Sequence, residues 1–330
     1  MSKSPASIEV VIGLNAVVVA VTEEEPRVLV VRNGNKDGAD GMDDALPSGH
    51  FHPMEHRTLE IGLRTWVEEQ TRQELGYVEQ LYTFGDRGRD PREQKGGPRS
   101  ISVGYLALAR EANRATTGDA AWLNWYRYFP WEDWRNGKPE VIEKTIEPGL
   151  KQWVKADDAR AEQQDRRVRA GITFGINAAA WNEELVLERY ELLYEAGLIA
   201  ESFRDRQESP PNGDWKRLPG QAMMQDHRRI LATGMGRLRG KIKYRPVIFE
   251  LMAPTFTLFQ LQRAVEGMAG LRLHKQNFRR LVEKNGLVEG TGRMASATGG
   301  RPAELFKFRA EVLMERRPLG VKLPASRKRV

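Results

Sequence analysis

Glu55, Glu68, Glu69 and Glu74 follow Gly49 within one short stretch, where LPSGHFHPMEH runs on into RTWVEEQTRQELGY (Arg64 to Tyr77). A helix that carries several carboxylates after a glycine loop can hold divalent ions, and such ions neutralise a diphosphate and activate water. Further along, GDRGRDPREQKGGPR contains Arg89 and Arg92, whose guanidinium forks match diphosphate oxygens bidentately. The same two arginines can instead pair internally with Asp86 or Asp90. A second constellation lies near the other end, in LHKQNFRRLVEKNG. Its His274, Lys275, Gln276, Asn277, Arg279 and Arg280 are the side-chain types that contact phosphates and base edges.

Elements must position both sets. IEVVIGLNAVVVAV (Ile8 to Val21), RVLVVR (Arg27 to Arg32) and ISVGYLALA (Ile101 to Ala109) read as strands, with a helix near Arg57 to Glu74 between them. NGNKDGADGMDD and GDRGRDPREQKGGPR are turn-rich loops. The Trp-dense WLNWYRYFPWEDW (Trp122 to Trp134) is expected in a core or an interface. From Val141 to about Leu238 the pattern is helical, including a helix over Trp181 to Glu201 that opens on an Asn able to cap it. Arg204 to Gly220 is a loop by its Pro and Gly content.

At 330 residues, 40% hydrophobic and 29% charged, the chain fits two or three domains of an ordinary globular protein. The longest apolar stretch is broken by Gly13 and Asn15, short of the roughly 18 residues of a membrane span. There is no cysteine, so disulfide frameworks and thiolate chemistry are excluded. The start MSKSPASIE lacks the order of a secretion signal, and a cytoplasmic setting is expected. Charge is unevenly divided: residues 221–330 carry 23 Lys and Arg against 8 Asp and Glu, a net of +15, while residues 1–220 carry 29 against 37, a net of −8. Such asymmetry points to a polyanion-binding module joined to a domain of another kind.

In that basic third, FTLFQLQRAVEGMAG sets Leu258, Leu261, Val265 and Met268 on one helical stripe that stops at a glycine. The following helix turns Phe278, Leu281 and Val282 inward, stops at Asn285-Gly286, and leaves its basic and amide residues outward. Two strands, Leu287 to Glu289 and Glu304 to Arg309, then flank a Gly-rich tip with Arg293, Thr298 and Arg301. Helix, turn, basic helix and hairpin is the order of a winged helix-turn-helix.

The carboxylate stretch resembles a Nudix box, whose pattern is G, five residues, E, seven residues, then R-E-U-x-E-E-x-G-U with U bulky and aliphatic. Gly49 and Glu55 fit its opening and Gly76-Tyr77 its close, with six residues added between the glycines. In that register Glu69, Gln70, Thr71, Gln73 and Glu74 stand for R, E, U, E and E, so only Glu74 remains of the family's carboxylates. The segment with Gly85, Asp86, Arg89, Asp90, Pro91 and Arg92, followed by Ser102, Val103 and Tyr105, is similar to the ADP-ribose-handling branch of Nudix domains. Together with RLRGKIKYRP, FTLFQLQRAVEG, NFRRLVE and GGRPAELFKFR, the chain resembles the Nudix-related transcriptional regulators of NAD metabolism, the NrtR family. Its extended middle is similar to that family's NadQ-type branch.

The resemblance implies an α+β protein: a Nudix-like α/β/α sandwich that senses an effector (residues 1–140), a helical middle or linker region (141–242), and a winged helix with a basic tail (243–330). It implies a homodimeric, cytoplasmic repressor of NAD-biosynthesis genes that binds a near-palindromic double-stranded operator and senses ADP-ribose, NAD or ATP. No catalytic or metal-binding residue and no required cofactor are expected; the alternative is an active Mg-dependent Nudix pyrophosphatase acting on ADP-ribose or a related dinucleotide. The candidate effector-binding residues are Arg32, His50, Glu74, Arg89, Asp90 and Arg92. The candidate DNA-binding residues are His274, Lys275, Gln276, Asn277, Arg279, Arg280, Arg293, Thr298 and Arg301.

Overall fold

A computed structural model describes residues 9–311 apart from 23, 33–43, 86–92, 94–95, 111–118, 157–158, 177–178, 211–212 and 296–301. The first strand, β1 (Val10–Thr22), is apolar almost throughout because both of its faces are covered. It pairs in parallel with β6 (Arg99–Leu108) and antiparallel with β2 (Glu25–Arg32), giving a sheet of order β3-β2-β1-β6-β5 with β3 (Asp44–Ala45) and β5 (Tyr77–Phe84) outermost on that path. β4 (Ser48–His50) pairs with β1 at Gly13 to Asn15, and β7 (Ala120–Asn124) pairs with β2.

Alternation along β1 sends Leu14, Ala16 and Val18 to one face, where α1 (Leu59–Thr71) meets them with Leu63 and Val67. Val17 and Val19 go to the other face. That second face is covered by α6 (His227–Tyr244), a helix far downstream of the sheet, through Ile230, Leu231, Met235 and Leu238. α6 crosses close to β1: a Cβ at Gly234 would lie 2.9 Å from Val17. The α/β/α sandwich implied by the sequence is therefore completed by a helix from the middle of the chain.

In the chain, α2 (Glu147–Lys155), α3 (Arg160–Phe174), α4 (Val186–Glu195) and α5 (Ala200–Arg206) come after the sheet strands and before α6. The single helix expected over Trp181 to Glu201 is instead two. Gly197 adopts φ +68° between α4 and α5, and Asn182 does not cap α4 but accepts from the Glu184 amide (3.0 Å) in a turn ahead of it. The aromatic segment is core, with Trp125, Tyr128, Phe129 and Trp131 fully buried. Beside them Glu132, with no exposure, accepts from Arg189 (2.5 Å) and Arg239 (2.5 Å), while Arg228 pairs with Glu201 at 3.0 Å. Charges this deep are tolerated only when paired and hydrogen-bonded.

The last unit is a winged helix. Thr257 and Gln260 form a capping box for α7 (Leu258–Ala269), which ends at Gly270 with φ +72°. α8 (Lys275–Lys284) follows, then β8 (Val288–Ala295) paired with β9 (Ala303–Phe308). No described helix is long and apolar enough to cross a membrane.

Candidate functional site

The glycine loop and α1 are locked together by Gln70 and by Trp66, a side chain to which the sequence alone assigned no role. Gln70 brackets Ser48, accepting from its amide (3.1 Å) and donating to its carbonyl (2.6 Å). Trp66 donates from Nε1 to the His50 carbonyl (2.8 Å), and its ring lies so close to Gly49 that a Cβ there would come within 2.2 Å of it. Position 49 therefore has to be glycine for a packing reason. Trp66 also packs against the rings of His52 and His56, with centroids 6.0 and 6.2 Å away. His56 is buried and accepts at Nδ1 from the His52 amide (3.1 Å), which shapes the loop from within.

The register of the box differs from the one anchored on Gly76. α1 ends at Thr71, and Arg72 holds the left-handed conformation (φ +56°) in which a helix-ending glycine is favoured. Gly76 lies beyond the helix, at the start of β5. Setting Arg72 on the box glycine leaves two added residues between Glu55 and the helix rather than six. It also places buried Val67 on the first bulky aliphatic position. The box then reads Thr65, Trp66, Val67, Glu68, Glu69, Gln70, Thr71, Arg72, Gln73. Its carboxylate positions hold Trp66, Glu69 and Gln70, and Glu74 falls outside it. The signal for this register was in the sequence: Thr58, which caps α1 by accepting from the Ile61 amide (3.1 Å), fixes where the helix starts.

Of the expected effector residues, His50 is exposed on β4 and Glu74 is exposed between α1 and β5. Arg32, at the end of β2, pairs with Asp44 at 3.3 Å. Asp44 is a buried hub, accepting from the Tyr128 hydroxyl (2.6 Å) and Gln221 (2.9 Å). Burial and this neighbouring carboxylate push the Tyr128 hydroxyl well above its ordinary range, so it stays a donor. Arg89, Asp90 and Arg92 lie outside the described residues, as do Thr298 and Arg301. Among the described residues, no three His, Asp or Glu side chains are gathered as a metal site.

The opposite end of the molecule exposes its polar groups instead. α8 buries Phe278 and Val282, while His274 at its N-cap and Lys275, Gln276, Asn277, Arg279 and Arg280 along it are all exposed. Arg279 pairs with Glu283 at 2.8 Å. Arg272, His274, Asn277, Arg280, Leu281 and Lys284 line a groove of about 750 Å³ along the helix. Leu281, expected inward, is 58% exposed, because it falls at the edge of the helix face that Phe278 and Val282 bury. Arg293 is exposed on β8.

The turn that aims α8 is held by Glu266 of α7, which accepts from the Leu273 amide (3.0 Å), Gln262 (2.8 Å), Arg263 (2.9 Å) and Arg272 (2.9 Å). Burial alone would raise its carboxyl, but these donors hold it below the ordinary glutamate value. The end of α7 is in turn seated on the sheet domain. The Tyr126 hydroxyl donates to the Gly267 carbonyl (2.6 Å) and Arg239 Nε to the Met268 carbonyl (3.0 Å). A Cβ at Gly267 would lie 2.7 Å from the Glu24 carbonyl. The other end of α6 reaches the glycine loop, where His227 Nδ1 accepts from the Leu46 amide (3.0 Å) and the Met224 amide donates to the Asp44 carbonyl (3.0 Å). α6 and the residues just before it thus touch both the segment leading into the glycine loop and the base of the winged helix.

Residues 248–308 match a family described as the NrtR DNA-binding winged helix domain. This match shows that the C-terminal unit is similar to the winged helix of NrtR proteins. A stretch of 120 residues is 32% identical to the ADPR responsive transcriptional repressor NtrR of Acinetobacter baylyi, covering 36% of this chain and 48% of that protein. The chain spans about half the length of this curated relative. Among solved structures, Shewanella oneidensis NrtR complexed with a 27mer DNA is 20% identical, covers 92% of this chain and 95% of its own, and gives a TM-score of 0.52. A MutT/nudix family protein from Enterococcus faecalis is 14% identical, covers 93% of this chain and 90% of its own, and gives 0.51. These two likenesses show the fold, a Nudix domain continued into a C-terminal winged helix.

Proposed function

We propose that this chain is a regulator of the NrtR family, a nucleotide-responsive repressor that binds operator DNA of NAD-biosynthesis genes as a homodimer in the cytoplasm. The observation that carries the reading is the outward face of α8, where His274, Gln276, Asn277 and Arg280 stand exposed on a winged helix. A helix of this width fits the major groove, guanidinium and amide groups read base edges there, and clustered cations gain from counterion release. Two such helices related by a twofold axis call for a near-palindrome with half-sites about 10 bp apart or a multiple of that.

The Nudix cleft is the sensor in this reading, and ADP-ribose is the first effector to test, since the Acinetobacter baylyi relative is named for its response to ADPR. Arg32, His50, Glu74, Arg89, Asp90 and Arg92 are its proposed contacts. The cleft binds without turnover because two of the three box carboxylate positions carry Trp66 and Gln70, both engaged with the glycine loop. The remaining carboxylates, Glu55 and Glu69, do not make the donor set that a diphosphate-bridging cation needs. Coupling runs through α6, from Leu46 and Asp44 at the loop to Met268 at the base of the reader. A difference of about 1–3 kcal/mol between liganded and free geometries would suffice for regulation.

The deciding experiment is fluorescence anisotropy of the full chain on duplexes from upstream of its own gene and of NAD-synthesis genes, with nonspecific competitor, repeated with ADP-ribose, NAD and ATP. Tight binding that one nucleotide releases is the expected result; binding indifferent to sequence and to every nucleotide would overturn the reading. Mg-dependent AMP release from ADP-ribose at high protein concentration would instead establish the hydrolase alternative.

A further inference from the structure

We propose that Leu281 reads the 5-methyl group of a thymine in the bound operator, an inference that rests on the DNA-binding reading above. Phe278 and Val282 are buried beneath α8, at 9% and 4% exposure, whereas Leu281 is 58% exposed. Single exposed leucines are common on protein surfaces and carry no meaning alone. This one sits on the same flank of the helix as His274, Asn277 and Lys284, at offsets of seven, four and three residues. It lines the 750 Å³ groove together with Arg272 and Arg280. Every other side chain named on that flank is cationic or can hydrogen-bond, so a polyanionic duplex is the occupant that the charge of the groove selects.

Within a major groove the thymine methyl is the one apolar group a side chain meets at the base edges, and an aliphatic residue is its physical complement. The amides and guanidinium beside Leu281 recognise adenine or guanine, and Leu281 adds the discrimination they cannot make, a methylated against an unmethylated pyrimidine. The exposed part of its side chain lies in water in the free protein and leaves water on docking, so that part contributes to the complex and not to the fold.

The test uses the full chain and duplexes enriched by it from a random pool, each amplified once with thymidine and once with deoxyuridine, which differs only by the missing methyl. For the wild type, removing the methyls should weaken binding by about fourfold for each leucine engaged, the value of one buried methyl-sized group. Leu281→Ala should bind the thymidine duplex more weakly and lose that methyl sensitivity, while Leu281→Met should keep most of it. Equal affinity of the wild type for both duplexes, or the same methyl sensitivity in Leu281→Ala as in the wild type, overturns the proposal. If no sequence is enriched from the pool at all, the DNA-reading function itself falls and this inference falls with it.

Discussion

The surroundings of the glycine loop and the outward face of α8 are built from similar polar residue types and treat them in opposite ways. Around the glycine loop, Gln70 spends both ends of its amide on Ser48 and Trp66 spends its donor on His50, while Asp44 just before the loop gathers Arg32, Tyr128 and Gln221. Along α8, the side chains of Lys275, Gln276, Asn277 and Arg280 have no hydrogen-bond or ion-pair partner among the described residues. Polar groups consumed inside a structure shape it, while groups left in water are available to a partner. The difference supports the proposed reading, in which the first region is held in a fixed shape and the second is left open to a partner.

The comparison breaks most easily where a committed charge is removed. Glu132→Ala leaves Arg189 and Arg239 buried without their carboxylate and should cost about 3–5 kcal/mol of stability, read by denaturant unfolding. A loss under about 1 kcal/mol would mean that the buried pair is dispensable. Gly49→Ala should cost about 1–3 kcal/mol because its methyl meets the Trp66 ring; a Gly49→Ala, Trp66→Ala double variant should recover part of the loss. At the uncommitted face the readout moves from stability to affinity. Arg280→Ala should weaken operator binding by about 1–3 kcal/mol per lost base contact, with stability changed by no more than about 0.5 kcal/mol. Arg279→Ala should do less, since Arg279 is already shared with Glu283. An Arg280→Ala variant that unfolds would put that arginine in the first class and remove the distinction.

The smallest effect is one of pH. The Glu266 carboxyl is held below its ordinary value in the folded chain, so its contribution is complete above the ordinary glutamate value and is lost as pH falls through the lower, folded one. Operator affinity, which depends on the Leu273 turn, should decline in acid before the sheet domain unfolds. Glu266→Gln should remove that decline. Simultaneous loss of binding and of far-UV signal in the wild type would show that Glu266 has no separate role.

Much of this was legible in residues alone. The alternation of β1, the α7 stripe, the left-handed stop at Gly270 and the basic face of α8 are local properties, set by side-chain periodicity and by the few residues that tolerate a positive φ. The box register was misread because its closing glycine is replaced by Arg72, and propensity favours the real glycine at position 76 over an arginine forced into the same conformation. Leu281 was misplaced because a helix stripe fixes a direction only to within one side chain, and this third apolar residue falls at the edge of the face that Phe278 and Val282 bury.

What the sequence by itself determined is therefore the kind of unit at each end and the charge that separates them. Only the tertiary structure decided that α6 covers the second face of the sheet, touching the glycine loop through His227 and the base of the winged helix through Arg239. These contacts join residues far apart in the chain, and their partners are chosen by which surfaces remain unburied once the local elements have formed. No local pattern encodes that choice.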